Sequence, residues 1–265
     1  MVKSDNRYLG ALMIAPFILF IFWGGLPLKI FTFVLSALGM YEFYKALKEK
    51  DFRPIEVAGY ILLVLFYFFN NSFEKLIFII ILATFILLII PVIDLKYTFI
   101  DVAITLLGFL YVGILFSFIY LVSEKSGGNF YVWLIFVGSW MTDTTAYYAG
   151  RLFGKTKLCP KVSPKKTVEG SLGGLLGATI FCGILGFVTK TYIATFPIYH
   201  FFIIGALCGV FSQFGDLVAS SIKRYVGIKD YSNLIPGHGG ILDRFDSILF
   251  SGLIVYYYLT FIIVV

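Results

Sequence analysis

Long apolar runs separated by short polar turns fill this chain from end to end. A bilayer-crossing helix needs roughly 17–25 predominantly apolar residues, and about nine such runs can be drawn. They lie at 8–23, 26–44, 55–70, 74–93, 99–122, 130–150, 171–189, 197–221 and 247–265. The run at 55–70 is short enough to lie partly in the interface. Lys3 and Arg7 precede the first run, but no clean small-residue cleavage site follows it, so it reads as a retained helix and not a signal peptide. No internal repeat is evident, and no gap is large enough for a separate soluble domain. The expected fold is all-α, a polytopic integral membrane protein. Its N-terminal helices occupy 1–122. A C-terminal region, 123–265, carries two polar loops at 151–170 and 222–246.

Composition agrees with the pattern. Of 265 residues, 60% are hydrophobic and 14% charged, against about 25% charged in an ordinary soluble domain. Mean hydropathy is +0.94. The net charge of +6 is first a statement about topology. Alternating the spans from the N-terminus leaves only Lys29, Lys75, Lys125 and Lys190 on the far side; the other 17 of 21 cations share the N-terminal side. The positive-inside rule then predicts a cytoplasmic N-terminus and an external C-terminus, in the cell (inner) membrane. Both long polar loops fall on the cytoplasmic side. With no soluble basic domain, nucleic acid is not an expected partner. The three cysteines, Cys159, Cys182 and Cys208, offer neither a disulfide framework nor metal-ligand spacing.

Ionisable residues at membrane depth are costly and mark candidate sites. The run at 197–221 carries Asp216 on a stripe with Gly205, Gly209, Ser212, Gln213, Ser220, Lys223 and Arg224 at helical spacing. Gly205 and Gly209 have the spacing that lets helices approach closely. The run at 130–150 repeats the theme with Ser139, Asp143, Tyr147 and Arg151. The loop that follows holds six cations from Arg151 to Lys166, with Pro160 and Pro164 blocking helix propagation. It is either a solvated loop obeying the topology rule or a clamp for a polyphosphate. In the clamp reading Lys165 and Lys166 face phosphate oxygens, and Ser171 lies near the free amides that open the next helix. The second loop, Lys223 to Asp246, combines Lys223, Arg224, Lys229 and Arg244 with Asp230, Asp243, Asp246 and a glycine-rich turn at 236–240. Cations, carboxylates and exposed backbone amides together suit a metal-bound phosphate. Asp216 and Asp243, folded towards each other, would repel unless a cation sat between them. Glu42 and Asp101 lie near span ends and read as interfacial or paired. His200 reads as structural.

The order Ser221-Ile-Lys223-Arg224, then Lys229-Asp230, then Ile235-Pro236-Gly237-His238-Gly239-Gly240-Ile241-Leu242-Asp243-Arg244-Phe245-Asp246 resembles the signature of the phosphatidate cytidylyltransferases (CDP-diacylglycerol synthases), without departure. Asp143-Thr144-Thr145-Ala146-Tyr147, Gly150 to Lys155 and Ser163-Pro164-Lys165-Lys166-Thr167-Val168-Glu169-Gly170 also look like the family's pattern. The resemblance implies a membrane enzyme that joins CTP to phosphatidate, releasing diphosphate and using Mg²⁺, with room for a second cation. On that reading Asp216 and Asp243 hold the metal, and Asp246, Lys223, Arg224 and Arg244 join them in catalysis. Asp143, Tyr147, Arg151, Ser163, Lys165, Lys166, Thr167, Ser171, Ser221, Lys229, Asp230, Gly237, His238, Gly239 and Gly240 contact substrate. The glycine seams permit a homodimer. Two rivals carry different chemistry: a CTP-dependent polyisoprenoid lipid kinase, and an ion-coupled transporter using Asp143 and Asp216. A transporter has no need of two basic loops with glycine turns, and no inverted repeat is seen.

Overall fold

The computed structural model describes residues 18–69, 73–190, 196–235, 237 and 239–264. Most of the expected first span, 8–23, lies outside them, as do Pro236 and His238. The elements, in order, are α1 (Gly25–Lys48), α2 (Glu56–Phe69), α3 (Phe73–Ile93), α4 (Phe99–Gly108), α5 (Leu115–Ser123), α6 (Gly128–Phe153), β1 (Lys157–Cys159), β2 (Ser163–Thr167), α7 (Val168–Thr189), α8 (Tyr199–Val226) and α9 (Leu242–Tyr257). A π-helical turn, Phe109–Ile114, joins α4 to α5, and a second, Tyr258–Ile263, ends α9. The chain is helical nearly throughout, as its apolar runs require: a backbone in lipid must satisfy its own hydrogen bonds.

Among the described residues, six helices are long and apolar enough to cross a membrane: Gly25–Lys48, Glu74–Ile93, Phe99–Ser123, Val168–Thr189, Tyr199–Val226 and Leu242–Ile263. Two other expected spans behave differently. Glu56–Phe69 has 14 residues, a length of about 21 Å at 1.5 Å per residue, short of the ~30 Å hydrocarbon core. Gly128–Phe153 is long enough at 26 residues but too polar to join the six. The helix α3 exposes Phe78, Phe85, Ile89 and Ile93, the pattern of a helix that faces lipid.

The N-terminal helices close around Phe43, Tyr44, Leu63, Phe109 and Phe116, all buried. Several of their buried polar groups are paired. The Tyr44 hydroxyl donates to the Thr105 carbonyl at 2.8 Å, and Ser36 Oγ donates to Gly113 O, inside the π-helical turn, at 3.1 Å. Asp101 is half of a capping box with Thr98 and also accepts from the Arg53 amide at 2.6 Å. The C-terminal helices pack in sequence, α6 on α7, α7 on α8 and α8 on α9. Small residues set how close they come. A Cβ on Gly205 would lie 2.6 Å from Ala178 O, and one on Gly209 would lie 2.9 Å from Leu175 Cα. The sequence expectation of a tight glycine seam on this helix is met, and the partner is α7.

Between α6 and α7 the basic loop is not irregular. It folds as an antiparallel hairpin pairing Lys157 with Thr167 and Cys159 with Ser163. Pro160 falls in its turn. Thr167 then caps α7, its hydroxyl accepting from the Gly170 amide at 3.1 Å.

Candidate active site

A cavity of about 410 Å³ opens where α6, the hairpin, α7 and α8 meet. Asp143, Tyr147 and Arg151 reach it from α6, Lys165, Lys166 and Thr167 from β2, Ser171 from α7 and Asp216 from α8. Eight of the expected site residues therefore line one wall or another of a single space. Helical spacing of four brings Asp143, Tyr147 and Arg151 to one face. The extended backbone of β2 carries its two lysines across the gap to α8. Lys166 Nζ lies 2.5 Å from Asp216 Oδ2, with both side chains about a quarter exposed. Ser220 Oγ donates to the other Asp216 oxygen at 3.1 Å.

Asp246 completes the acidic part. It stands one turn into α9, buried, and α9 presses its Asp246 carbonyl so closely on Gly215 that no side chain would fit there. That contact sets Asp246 next to Asp216 in space. Ser247 links Asp246 to the third carboxylate: its hydroxyl lies 3.1 Å from Asp143 Oδ2 and 3.3 Å from Asp246 Oδ1. Asp216 and Asp143 are the carboxylates whose fields reach Asp246, and Lys223 opposes them. Three helices thus each deliver one aspartate to a common region.

Asp243 has a different environment. One oxygen takes Lys223 Nζ at 2.6 Å; the other accepts the Tyr231 amide at 2.8 Å and the Gly240 amide at 2.9 Å. Its side chain is 2% exposed. Lys223 also rests over the Tyr231 ring, 5.5 Å from its centroid. Burial pushes the Tyr231 phenol far above its ordinary value, with the nearby Tyr111 and Asp243 adding to the rise, so it stays neutral beneath the ammonium. The expected pairing of Asp216 with Asp243 therefore meets a competing arrangement, in which the two carboxylates gathered near Asp216 are Asp143 and Asp246. The reason is rotational. On α9, Asp243 turns back over the loop that precedes it, while Asp246, three residues on, turns to α8.

Other expected residues stand further out. Arg224 reaches Val162 O and Ile228 O, both at 3.4 Å, and so ties the two loops together. Ser221, Lys229, Asp230, Gly237 and Arg244 are exposed and do not line the cavity. Ser163 is half-buried in β2. Gly239 bridges Ile235 across the glycine turn, at a φ of 85° that favours glycine. Gly240 is buried against Glu42. His238 lies outside the described residues.

Sequence reading missed three contributors. Ser247 looked like the first residue of an apolar span. Gln213, whose side chain donates to Ser171 O at 3.2 Å and Gly209 O at 2.6 Å, looked like part of a packing stripe. Tyr111 gave no signal at all. Its buried hydroxyl has no hydrogen-bond partner among the described residues, and the fields of Asp246 and Asp216 reach it.

The donor set suits a hard divalent cation: carboxylate oxygens with a hydroxyl between two of them. Mutual repulsion among three aspartates also calls for positive charge. Among the described residues no three such side chains already close on one point as a cage; Lys166 and Lys223 are the neutralising groups within reach.

The geometry can be set beside known proteins. The sequence profile of the cytidylyltransferase family matches residues 5–262. A phosphatidate cytidylyltransferase of Staphylococcus saprophyticus is 44% identical over 155 residues, and one of Staphylococcus aureus is 42% identical over 157. Those two alignments cover 58% of this chain and 58% of each relative. A phosphatidate cytidylyltransferase of Bacillus subtilis is 35% identical over 262 residues, 94% of this chain and 95% of that protein. With a match that runs almost from end to end and includes the cavity, the hairpin and the loop before α9, the chain belongs to the cytidylyltransferase family.

Proposed function

We propose that this protein is a phosphatidate cytidylyltransferase, transferring CMP from CTP to the phosphate of phosphatidate and releasing diphosphate. The observation that carries the reading is the juxtaposition of a basic hairpin with a cavity lined by Asp143 and Asp216, with Asp246 buried beside them, inside a bundle of membrane-length helices. The names of its relatives point the same way.

The chain's own residues account for the polar work. Lys165 and Lys166 extend from the hairpin into the cavity with Arg151 opposite, a cationic surface for the triphosphate of CTP. The amides that open α7, with Ser171 nearby, favour an anion. The attacking group is a phosphate oxygen already anionic at neutral pH, so no general base is required, and the cavity lining contains none of the histidine or thiol groups that would supply one. Catalysis of such a transfer is mostly positioning and charge neutralisation. Mg²⁺ fits Asp216 with Asp246 and Asp143 better than Asp216 with Asp243, whose side chain is buried and committed to Lys223 and two backbone amides of the loop. Bound there it would supply Lewis-acid polarisation of the phosphates. Lys223 holds the loop through Asp243 and counters Asp246 from behind.

The finer topology belongs to the same reading. With 17 of the 21 cations on the N-terminal side of an alternating arrangement, the hairpin and the 222–246 loop face the cytoplasm, where CTP is found, and the chain crosses about nine times.

The deciding experiment follows phosphorus. Purified protein given phosphatidate and CTP labelled at the α-phosphorus should place label and cytidine together in the lipid product, in a Mg²⁺-dependent reaction. Label at the γ-phosphorus should appear only in diphosphate. Recovery of γ-label in lipid, with CDP released, would identify a lipid kinase instead.

A further inference from the structure

Glu42 stands far from the cavity in sequence and belongs to the N-terminal half, yet it is 1% exposed and bonded entirely to the loop and helix that carry Asp243 and Asp246. Its Oε1 accepts the Ile241 amide at 2.9 Å and the Ser232 hydroxyl at 2.5 Å; its Oε2 accepts the Leu242 amide at 2.9 Å. Those two amides open α9, where the first N–H groups of any helix lack an internal partner. The residue at the cap position, Ile241, has no side-chain hydrogen bond to offer. A serine or aspartate there would have capped the helix locally. Instead the cap comes from about 200 residues away, as a carboxylate that favours the positive end of the helix dipole.

The fit admits little variation. A Cβ on Gly240 would lie 2.6 Å from Glu42 Oε1. Among the described residues no cation lies within 4 Å of Glu42; the backbone amides and Ser232 alone satisfy its charge. Asp243 meanwhile takes the Gly240 and Tyr231 amides. The loop before α9 is therefore gripped between two carboxylates, one from each half of the chain. Asp246 follows Leu242 by four residues, one turn along the same helix face. Anything that fixes the start of α9 fixes where Asp246 stands against Asp216.

We propose that Glu42 is a positioning residue for the transfer reaction, holding the start of α9 so that Asp246 stays beside Asp216. This role rests on the proposed function. It makes the N-terminal half part of the site's construction and not only a membrane anchor. Glu42→Gln keeps the size but turns an amide NH₂ towards backbone N–H groups. Its kcat should fall at least about tenfold, on the scale of one buried charge-assisted bond lost. The KM for CTP should stay within about twofold, because the hairpin that meets the nucleotide is untouched. Glu42→Asp, which keeps the charge, should recover part of the loss, and Ser232→Ala should lower kcat by less than Glu42→Gln.

Hydrogen exchange gives a readout that needs no activity. The Ile241 and Leu242 amides should exchange at least about tenfold faster in Glu42→Gln, while amides in the middle of α8 keep wild-type rates. Unchanged exchange at 241 and 242 would overturn the anchor itself, whatever the enzyme does. Faster exchange with kcat within twofold of wild type would overturn the positioning role. So would a kcat loss that disappears on cooling the assay well below the variant's melting temperature. Absence of CMP transfer by the wild-type protein would instead count against the proposed function, leaving the exchange result to judge the anchor.

Discussion

Asp243 and Asp246 sit three residues apart and serve different ends. The first neutralises Lys223 and organises a loop; the second lies buried beside Asp143 and Asp216, which line the cavity. Asp216→Asn and Asp246→Asn should each lower kcat by at least ~10², the scale of removing one preorganised electrostatic group. The double variant should lose far less than the product of the two, since both act in one cluster. Additive losses, measured at saturating CTP and phosphatidate, would separate their roles. Asp243→Asn leaves Lys223 without its charge partner in a buried place, so its first effect should be on stability, about 3 kcal/mol or more, read by thermal unfolding. Asp143 and Asp216 were legible because charged residues inside apolar runs stand out, and Asp246 because it ends the polar loop at 222–246. The sequence could not rank Asp243 against Asp246, because the two lie three residues apart, only about 60° apart around the helix, and that rotation decides which faces α8. Ser247 and Glu42 escaped for a related reason: each bonds to residues more than a hundred positions away.

At the scale of elements, hydropathy located the helices well, since length and apolarity are what lipid imposes. The hairpin was hidden. Its residues, Lys157–Cys159 and Ser163–Thr167, are short and polar, and only the prolines hinted that the segment is not helical. The π-helical turns were hidden too, because nothing in the local pattern of Phe109–Ile114 distinguishes them from ordinary helix. The hairpin has a functional test. Replacing Lys165 and Lys166 together by Gln should raise the KM for CTP several-fold more than the KM for phosphatidate, with the helices unaffected, as judged by circular dichroism. Equal changes in both would mean that the loop is basic only for topology.

At the scale of the whole molecule, the N-terminal helices and the C-terminal bundle are joined through buried contacts such as Phe116 with Phe245 and Tyr111 with Phe250. The expected division near residue 122 rests on the positions of the polar motifs alone, and this docking was not legible, since aromatic residues at helical spacing look alike whether they meet lipid or protein. Orientation is testable directly. In a background lacking Cys159, Cys182 and Cys208, Ser126→Cys should react with a membrane-impermeant maleimide from outside intact cells. Lys161→Cys should react only after permeabilisation. Reaction of both from the same side would break the alternating arrangement.

The ion pair between Lys166 and Asp216 makes the resting cavity its own counterion reservoir. Neither charge is left facing a low-dielectric wall. On the proposed function, a triphosphate bound at Lys166 would compete for its ammonium and leave Asp216 freer to hold a divalent ion. Thermodynamic linkage would make the effect mutual: nucleotide and cation would raise each other's affinity by the same factor. A single lysine on a hairpin would thus couple two binding events as one exchange of charge partners.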